Sequence, residues 1–555
     1  MLLFAVLACN SGDAPVPTPE APAYYGNVRS VLDGSCVTCH YPGGSTPFAL
    51  DTYAAAAPLA GAIAAAVESG EMPPWKPSPD CRSYEGERLL AGDDIAALRA
   101  WADAGAPEGT PDGVPPVQVS TAVLADATHT ESIPGYLPDL SVADDYRCFI
   151  LSELGLEDGG FLTGSGVVPG SSPVHHVLVY AYPDSNRGAM EAADAEDAAA
   201  GYACAGSGLP TSSTVSTEPP PGVGALLEGL IPEGFGGGAP NQLAGWVPGS
   251  GGMELDEGLA IVVDPGSVII AQIHYSRSGG DAVTDATEIR LRVTDQAPTQ
   301  AIRTTALLVH DLDIPAGSEN VVFSSQVPYY GAAPLDIRSV AGHMHQLGTR
   351  ISAREIGGDD ECLLDIPEWD FHWQGGYEPT VPISVASGSR LELTCEYDNS
   401  ATNQPYVGGT QSAPMDVYWG ESSTDEMCLM YLSRVAPYVP PPAEDEPACA
   451  SVATCVDACP ESDWGCTTGC TATVPACGAC VSSAIQACAP ACLVLLAAEP
   501  ECAADCIMSA ALLGGSLSLC LEGECPEVAA SFDACVSTAA ADDPACTDAL
   551  TECGL

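Results

Sequence analysis

This chain of 555 residues carries 74 acidic against 16 basic side chains, a formal net charge of −58. Such a surface repels nucleic acid and anionic membranes, so neither is expected as a partner. Its apolar fraction of 46% suffices for real cores in three or four domains, and its 25 cysteines point to an oxidising compartment.

The first nine residues form a short apolar run ending in Val6-Leu7-Ala8-Cys9. It resembles a bacterial lipoprotein signal, which implies a signal over 1–9 and Cys9 as the lipidated residue. No other apolar stretch is long enough to span a bilayer, so membrane contact is expected only through that anchor. The expected location is the periplasm or the outer cell surface. Residues 10–25, with Pro15, Pro17, Pro19 and Pro22, read as an extended tether.

Residues 26–106 read as a small helical domain, because Thr52 to Ser69 and Asp93 to Ala104 are Ala-rich and lack strand alternation. Cys36-Val37-Thr38-Cys39-His40 is the C-x-x-C-H pattern of c-type haem attachment. Two thioether bonds would fix the porphyrin, with His40 placed as axial ligand. Met72, in Gly70-Glu71-Met72-Pro73-Pro74-Trp75, offers the second ligand, and a thioether opposite an imidazole raises the reduction potential. The stretch from Asn27 to Gly105 resembles small periplasmic c-type cytochromes with an M-P-P-W segment, which implies one covalent haem c. A Cys36–Cys39 disulfide beside an idle His40 is the alternative.

A linker over 107–120 follows, and a second one, with Pro440-Pro441-Pro442, covers 437–448. Between them, alternating runs such as Leu259–Val263, Ser267–His274 and Glu288–Val293, punctuated by Gly and Pro, predict β-sandwich architecture. Five of the nine histidines fall here in two groups. His343 and His345 are two apart, so on a strand they face one side and can chelate one ion, while Met344 turns into the core. Met427 would complete that set from another strand. A thioether selects copper, Cu(I) above all, and three protein ligands leave a position open. His175 and His176 are adjacent and can share an ion only at a strand end or bulge, which Pro169 and Pro173 favour. His274, between Gln272 and Tyr275, would be their third partner. Taken singly, each of these histidines is more often a satisfied buried residue than a ligand, and it is the joint pattern that reverses the balance.

Four segments carry a family resemblance: Ser172-Pro-Val-His-His-Val-Leu-Val-Tyr180, Gln272-Ile-His274-Tyr275, Gly342-His-Met-His-Gln-Leu-Gly348 and Glu421-Ser-Ser-Thr-Asp-Glu-Met-Cys428. In order, they resemble segments of the type II copper, ascorbate-dependent monooxygenases, the family of peptidylglycine α-hydroxylating and dopamine β-monooxygenases. The resemblance covers Leu124 to Pro437. It implies two jelly-roll-like β-sandwiches, over 121–296 and 297–436, facing each other across a solvent-filled cleft. It implies two coppers: an electron-transfer copper on His175, His176 and His274, and an oxygen-activating copper on His343, His345 and Met427. The implied reaction is hydroxylation of an aliphatic C–H bond of a small organic substrate by O2, with ascorbate or an electron-donor protein as reductant. It also implies a Cys395–Cys428 disulfide bracing the Met427 strand. Tyr431 and Gln272 are substrate-pocket candidates. The peptide-hydroxylating members have an arginine where this chain has Ala341, and an asparagine where it has Leu429. A C-terminal glycine peptide is therefore not the expected substrate, and the pocket should be more apolar. His372, within Trp369-Asp-Phe-His-Trp-Gln374, is a weaker candidate. His129 and His310 read as ordinary surface or core residues.

With Cys9, Cys36 and Cys39 set aside, Cys148–Cys204 is the next pairing, and parity leaves Cys81 to bridge Cys362. Residues 449–555 hold sixteen cysteines and no histidine, a disulfide-rich helical tail rather than a zinc domain. Cys455/Cys459 with Cys466/Cys470, and Cys488/Cys492 with Cys502/Cys506, would each close a helical hairpin, outer to outer and inner to inner. The tail would serve attachment or act as a protease-resistant spacer. The whole reads as a mainly β, exported cytochrome–copper monooxygenase fusion. The alternative is a non-catalytic copper-binding or electron-transfer envelope protein on the same fold.

Overall fold

The computed structural model describes residues 22–440, apart from 43–45, 47, 112, 118–122, 143, 205–207, 211–240, 248–250, 277–281, 332, 372, 408–409, 421–423 and 439, together with 506, 517–529, 531 and 535. The lipidation candidate Cys9 and most of the tail lie outside the described residues. The chain divides into two compact units: residues up to 75 with 88–119, and residues 76–87 with 120 onwards.

The first unit is helical: α1 (Arg29–Ser35), α2 (Tyr53–Ala56), α3 (Ala60–Glu68) and α4 (Gly92–Asp103). The Thr52 hydroxyl accepts from the backbone N–H of Ala55 and caps α2. Asp93 and Asp94 sit in the first turn of α4, where carboxylates favour the helix dipole. Apolar residues at helical spacing, among them Leu32, Ile63, Val67, Leu98 and Trp101, close on one another as the core of this unit.

The second unit is built of strands, as the alternation predicts. Its first half contains β1 (His129–Ser132), β2 (Asp144–Ile150), β3 (Gly160–Val168), β4 (Val174–Tyr182), β5 (Tyr202–Ala203), β6 (Asn241–Trp246), β7 (Met253–Glu254), β8 (Leu259–Val263), β9 (Val268–Ser276) and β10 (Glu288–Thr294), with helix α5 (Arg187–Glu196) between β4 and β5. The second half contains β11 (Gln300–Leu308), β12 (Asp313–Ile314), β13 (Val321–Pro328), β14 (Leu335–His343), β15 (Gly348–Ile356), β16 (Cys362–Ile366), β17 (Ile383–Val385), β18 (Arg390–Tyr397), β19 (Tyr406–Val407), β20 (Thr410–Gln411), β21 (Val417–Tyr418) and β22 (Leu429–Pro437).

Sheet β5-β2-β9-β4-β6 packs on β1-β10-β3-β8, and Val177, Val179, Ile273 and Tyr275 meet Leu162, Val167, Ile289 and Leu291 in the shared core. Sheet β13-β18-β15-β16 likewise backs β11-β22-β14-β17. The alternation does not reveal that the second sheet of each half is one and the same. β8 pairs β11 in parallel, Leu259 to Ile261 against Gln300 to Ile302, so a nine-stranded sheet runs through both sandwiches.

Within the two sandwiches and the segment packed on them, the described disulfides are Cys148–Cys204, Cys395–Cys428 and Cys81–Cys362. The last belongs to a strap, residues 76–87, that leaves the helical stretch of chain and packs on the second sandwich. Arg82 donates to the carbonyls of Cys362 and Val381 and to the Glu361 carboxylate, and the Tyr84 hydroxyl donates to the Leu363 carbonyl. Lys76 pairs with Asp370 at 3.6 Å. In the tail, helix α6 (Leu517–Glu524) is tied by Cys506–Cys520, and Glu524 accepts from the Tyr330 hydroxyl and from Arg390. Cys506 therefore does not bridge back to Cys488, and the second hairpin is not closed as its spacing suggests. Buried Cys520 on the docked helix takes its place.

Candidate metal centres

His175 sits at a β-bulge. Val174 pairs with Tyr275 and His176 with His274, leaving His175 as the extra residue between them. The bulge turns two adjacent side chains toward one point, and His274 comes from the neighbouring strand to the same place. The His175 and His176 Nδ1 atoms are 3.4 Å apart, and those of His274 and His176 are 3.3 Å apart. Imidazole nitrogens bound to one ion at about 2.0–2.1 Å lie roughly 3.3–3.5 Å from each other, so this spacing suits a shared metal. Among the described residues these three form a candidate metal cluster. Burial, with the charges of His274, His175 and His343, holds His176 well below the usual imidazole range, so its lone pair is free to bind metal. The ring of Tyr146, on β2, stacks on His274 at 4.2 Å and 4° and fixes its plane.

The second set is built differently. β14 ends at His343, so His345 lies just past the strand rather than two residues along it. The rings still meet, with centroids 5.1 Å apart and planes at 87°. Met344 is fully buried. β22 pairs with β14 so that Leu429 faces His343, and continuing this register sets Met427 opposite His345. The Tyr397 hydroxyl holds the Met427 carbonyl at 2.8 Å.

Each histidine of this set has its Nδ1 engaged. His343 Nδ1 lies 2.6 Å from Gln374 Oε1, and the Gln374 amide nitrogen donates to the Phe371 carbonyl. The amide orientation is thereby fixed, and His343 must donate. His345 Nδ1 is 3.0 Å from the Asp425 carbonyl, which can only accept. Both rings therefore carry the proton on Nδ1 and keep Nε2 for a ligand. The two sets thus differ in donor atom: an Nδ1 triad, and an Nε2 pair toward which the extended register carries Met427.

Four supporting residues escape the sequence reading. Glu426 is fully buried, and its carboxylate accepts from the backbone N–H groups of His345 at 2.9 Å and Leu347 at 2.6 Å. Burial pushes its carboxyl up to about 8. Trp369 donates its indole N–H to the His345 carbonyl, and Phe371 lies edge-on to His345 at 6.0 Å. Gln374, the fourth, stands with these two in the stretch singled out for His372, which itself lies outside the described residues. Tyr431 faces His343, with ring centroids 6.5 Å apart, whereas Gln272 is fully buried two residues from His274. His310 is exposed beside Trp419, and His129 is half-buried on β1.

Residues 309–460 match the family described as copper type II ascorbate-dependent monooxygenase, C-terminal domain. This stretch is similar to that monooxygenase domain. The match includes His343, His345, Met427 and Tyr431, and the Nδ1 triad lies before it. The family is copper-dependent and uses ascorbate as its reductant. No curated protein matches the chain. Similar solved structures include the major capsid protein P2 from bacteriophage PM2, at 6% identity over 56% of this chain and 97% of that chain, TM-score 0.21. The N-terminal CBM22-1–CBM22-2 tandem of Paenibacillus barcinonensis Xyn10C, at 12% identity, covers 52% of this chain and 82% of its own, TM-score 0.12. Likeness at that level carries no argument.

In the helical unit, Cys36 and Cys39 are free, whereas the other described cysteines are all in disulfides. Burial pushes the Cys36 thiol up to about 12. His40 is stacked on Phe48 at 4.6 Å, and its Nδ1 lies 3.3 Å from the Phe48 carbonyl, leaving Nε2 for a ligand. Met72 follows α3, its N–H bonded to the Ala66 carbonyl. Two free thiols beside an oriented imidazole fit a c-type haem.

Proposed function

We propose that this chain is an exported copper monooxygenase that hydroxylates an aliphatic C–H bond of a small organic molecule. One atom of O2 enters the product and the other leaves as water, with two electrons and two protons drawn from ascorbate or a donor protein. The observation that carries this reading is the pair of unlike donor sets in one compact unit, one within residues 309–460 and one before them. Copper at His343, His345 and Met427 would supply oxygen activation, and copper at His175, His176 and His274 would supply stored single electrons.

The protein's own part is orientation. Gln374 and the Asp425 carbonyl hold the two imidazoles in the tautomer that offers Nε2, and Glu426 holds the turn between them. Tyr146 fixes the ring plane of His274 by stacking on it. Cys36, Cys39, His40 and Met72 would hold one haem c, a one-electron carrier that replaces or supplements ascorbate. The disulfides of the second unit favour an oxidising, extracytoplasmic location, with Cys9 as the lipid anchor.

Oxygen uptake by the copper-loaded full chain with ascorbate, together with mass analysis of added C–H substrates under 18O2, tests the assignment. Uptake with label entering a product is the expected result. Tight copper binding without ascorbate-dependent uptake would leave a copper-binding envelope protein.

A further inference from the structure

The face of the continuous sheet that carries His343 has a composition of its own. In β14 and β22, Ala341 pairs with Tyr431 and Ser339 with Ser433; in β22 and β11, Tyr431 pairs with Ala306 and Ser433 with Thr304. Opposed residues share a face, and alternate residues return to it. Three rows therefore run along this face: His343 with Leu429 and Leu308, then Ala341 with Tyr431 and Ala306, then Ser339 with Ser433 and Thr304.

The reverse face is core. A side chain at Gly342 would meet Ile351 at 3.0 Å, and Val340, Met430 and Leu432 are buried. The His343 face thus looks out of its sandwich, and Ala341, Tyr431, Ser339, Ser433 and Thr304 are only half-buried. It ends where Ile302 and Val435 pack into the core of the first sandwich.

None of the three rows holds a charged side chain. The nearest β14 cation, Arg338, is held by Asp256 at 3.0 Å and Glu378 at 2.8 Å. An ionic substrate group would lose its hydration here and gain no counter-charge. The third row offers hydroxyls instead, with Thr304 and Ser433 oxygens 3.4 Å apart, and each can both donate and accept.

We propose that this face is the substrate floor, and that the substrate is an uncharged, elongated molecule. Its apolar end lies over Ala341 and Tyr431 beside His343. Its hydroxyl, ether or amide group is held by Thr304, Ser433 and Ser339, four residues further on at about 3.4 Å each, roughly 13 Å away. The proposal rests on the monooxygenase reading and names its substrate class.

Calorimetric titration of the copper-loaded full chain with 1-octanol, octanoate and octylammonium tests it. Octanol should bind about tenfold more tightly than either ion. Thr304→Val, which keeps the side-chain shape, combined with Ser433→Ala should remove most of that preference, and Ala341→Arg should raise octanoate affinity about tenfold. Equal affinities, a preference unmoved by the hydroxyl variants, or no binding by any probe would overturn the floor. Ascorbate-dependent oxygen uptake judges the monooxygenase reading separately, so the two can fail independently.

Discussion

The Glu426 carboxylate accepts the backbone N–H of His345 at 2.9 Å, across 81 positions of chain, while its second oxygen takes the N–H of Leu347. One buried side chain thus holds the turn after β14 at the point where His345 must meet Met427, the residue next to Glu426 itself. Glu426→Gln leaves a single acceptor oxygen and sets an amide N–H against a backbone N–H. It should lower copper affinity at the thioether set by about 10–100-fold, as loss of an outer-shell partner does. Copper at the Nδ1 triad should be retained. Chelator competition resolving the two sites checks this, and equal loss at both would show general unfolding instead.

Much of this arrangement is legible in the residues. Adjacent His175 and His176 demand an irregular strand, and β4 supplies it with a bulge. Alternation puts Met344 in the core, where it lies fully buried. The supporting groups are not legible, because none has a local signal. Gln374 reaches His343 across 31 positions, and Glu426 meets His345 only once β22 is laid beside β14. The parallel pairing of β8 with β11 is equally silent, since pairing partners leave no mark on alternation. An acidic residue directly beside a ligand methionine was the one available clue.

The Cys81–Cys362 bridge closes a loop of 281 positions. Replacing both cysteines with alanine should destabilise the second unit by up to about 4–5 kcal/mol on chain-entropy grounds. The strap should also open locally, since Lys76 and Arg82 then depend on ion pairs and hydrogen bonds alone. Limited trypsin digestion reads this directly: cleavage after Arg82 should be slow in the parent and fast in the variant.

Arg147, nearly fully buried beside Cys148, donates to the Ala200 and Gly201 carbonyls and to Asp197 at 2.8 Å. That bond holds the Asp197 carboxyl below its ordinary value of 3.8. A depressed folded pKa contributes stability that is present above the unfolded value and lost as pH falls through the folded one. Asp197→Asn should therefore cost about 1–3 kcal/mol at pH 7 and progressively less below pH 3.8. Urea unfolding of parent and variant across that range measures the convergence.

The free pair Cys36 and Cys39 predicts haem that stays with the polypeptide after acid–acetone extraction, at one per chain. Cys36→Ala with Cys39→Ala should release it, and Met72→Ala should keep it while lowering its reduction potential. Complete extraction from the parent would refute covalent attachment.

The central claim is that one chain holds two unlike coppers, and Met427 is what makes them unlike. Copper stoichiometry and X-ray absorption of the ascorbate-reduced chain, parent against Met427→Ala, test it most directly. The account predicts two coppers and a copper–sulfur scatterer in the parent, with the sulfur signal and oxygen uptake lost in the variant and the triad copper kept. A sulfur signal or oxygen uptake that survives the substitution would contradict it.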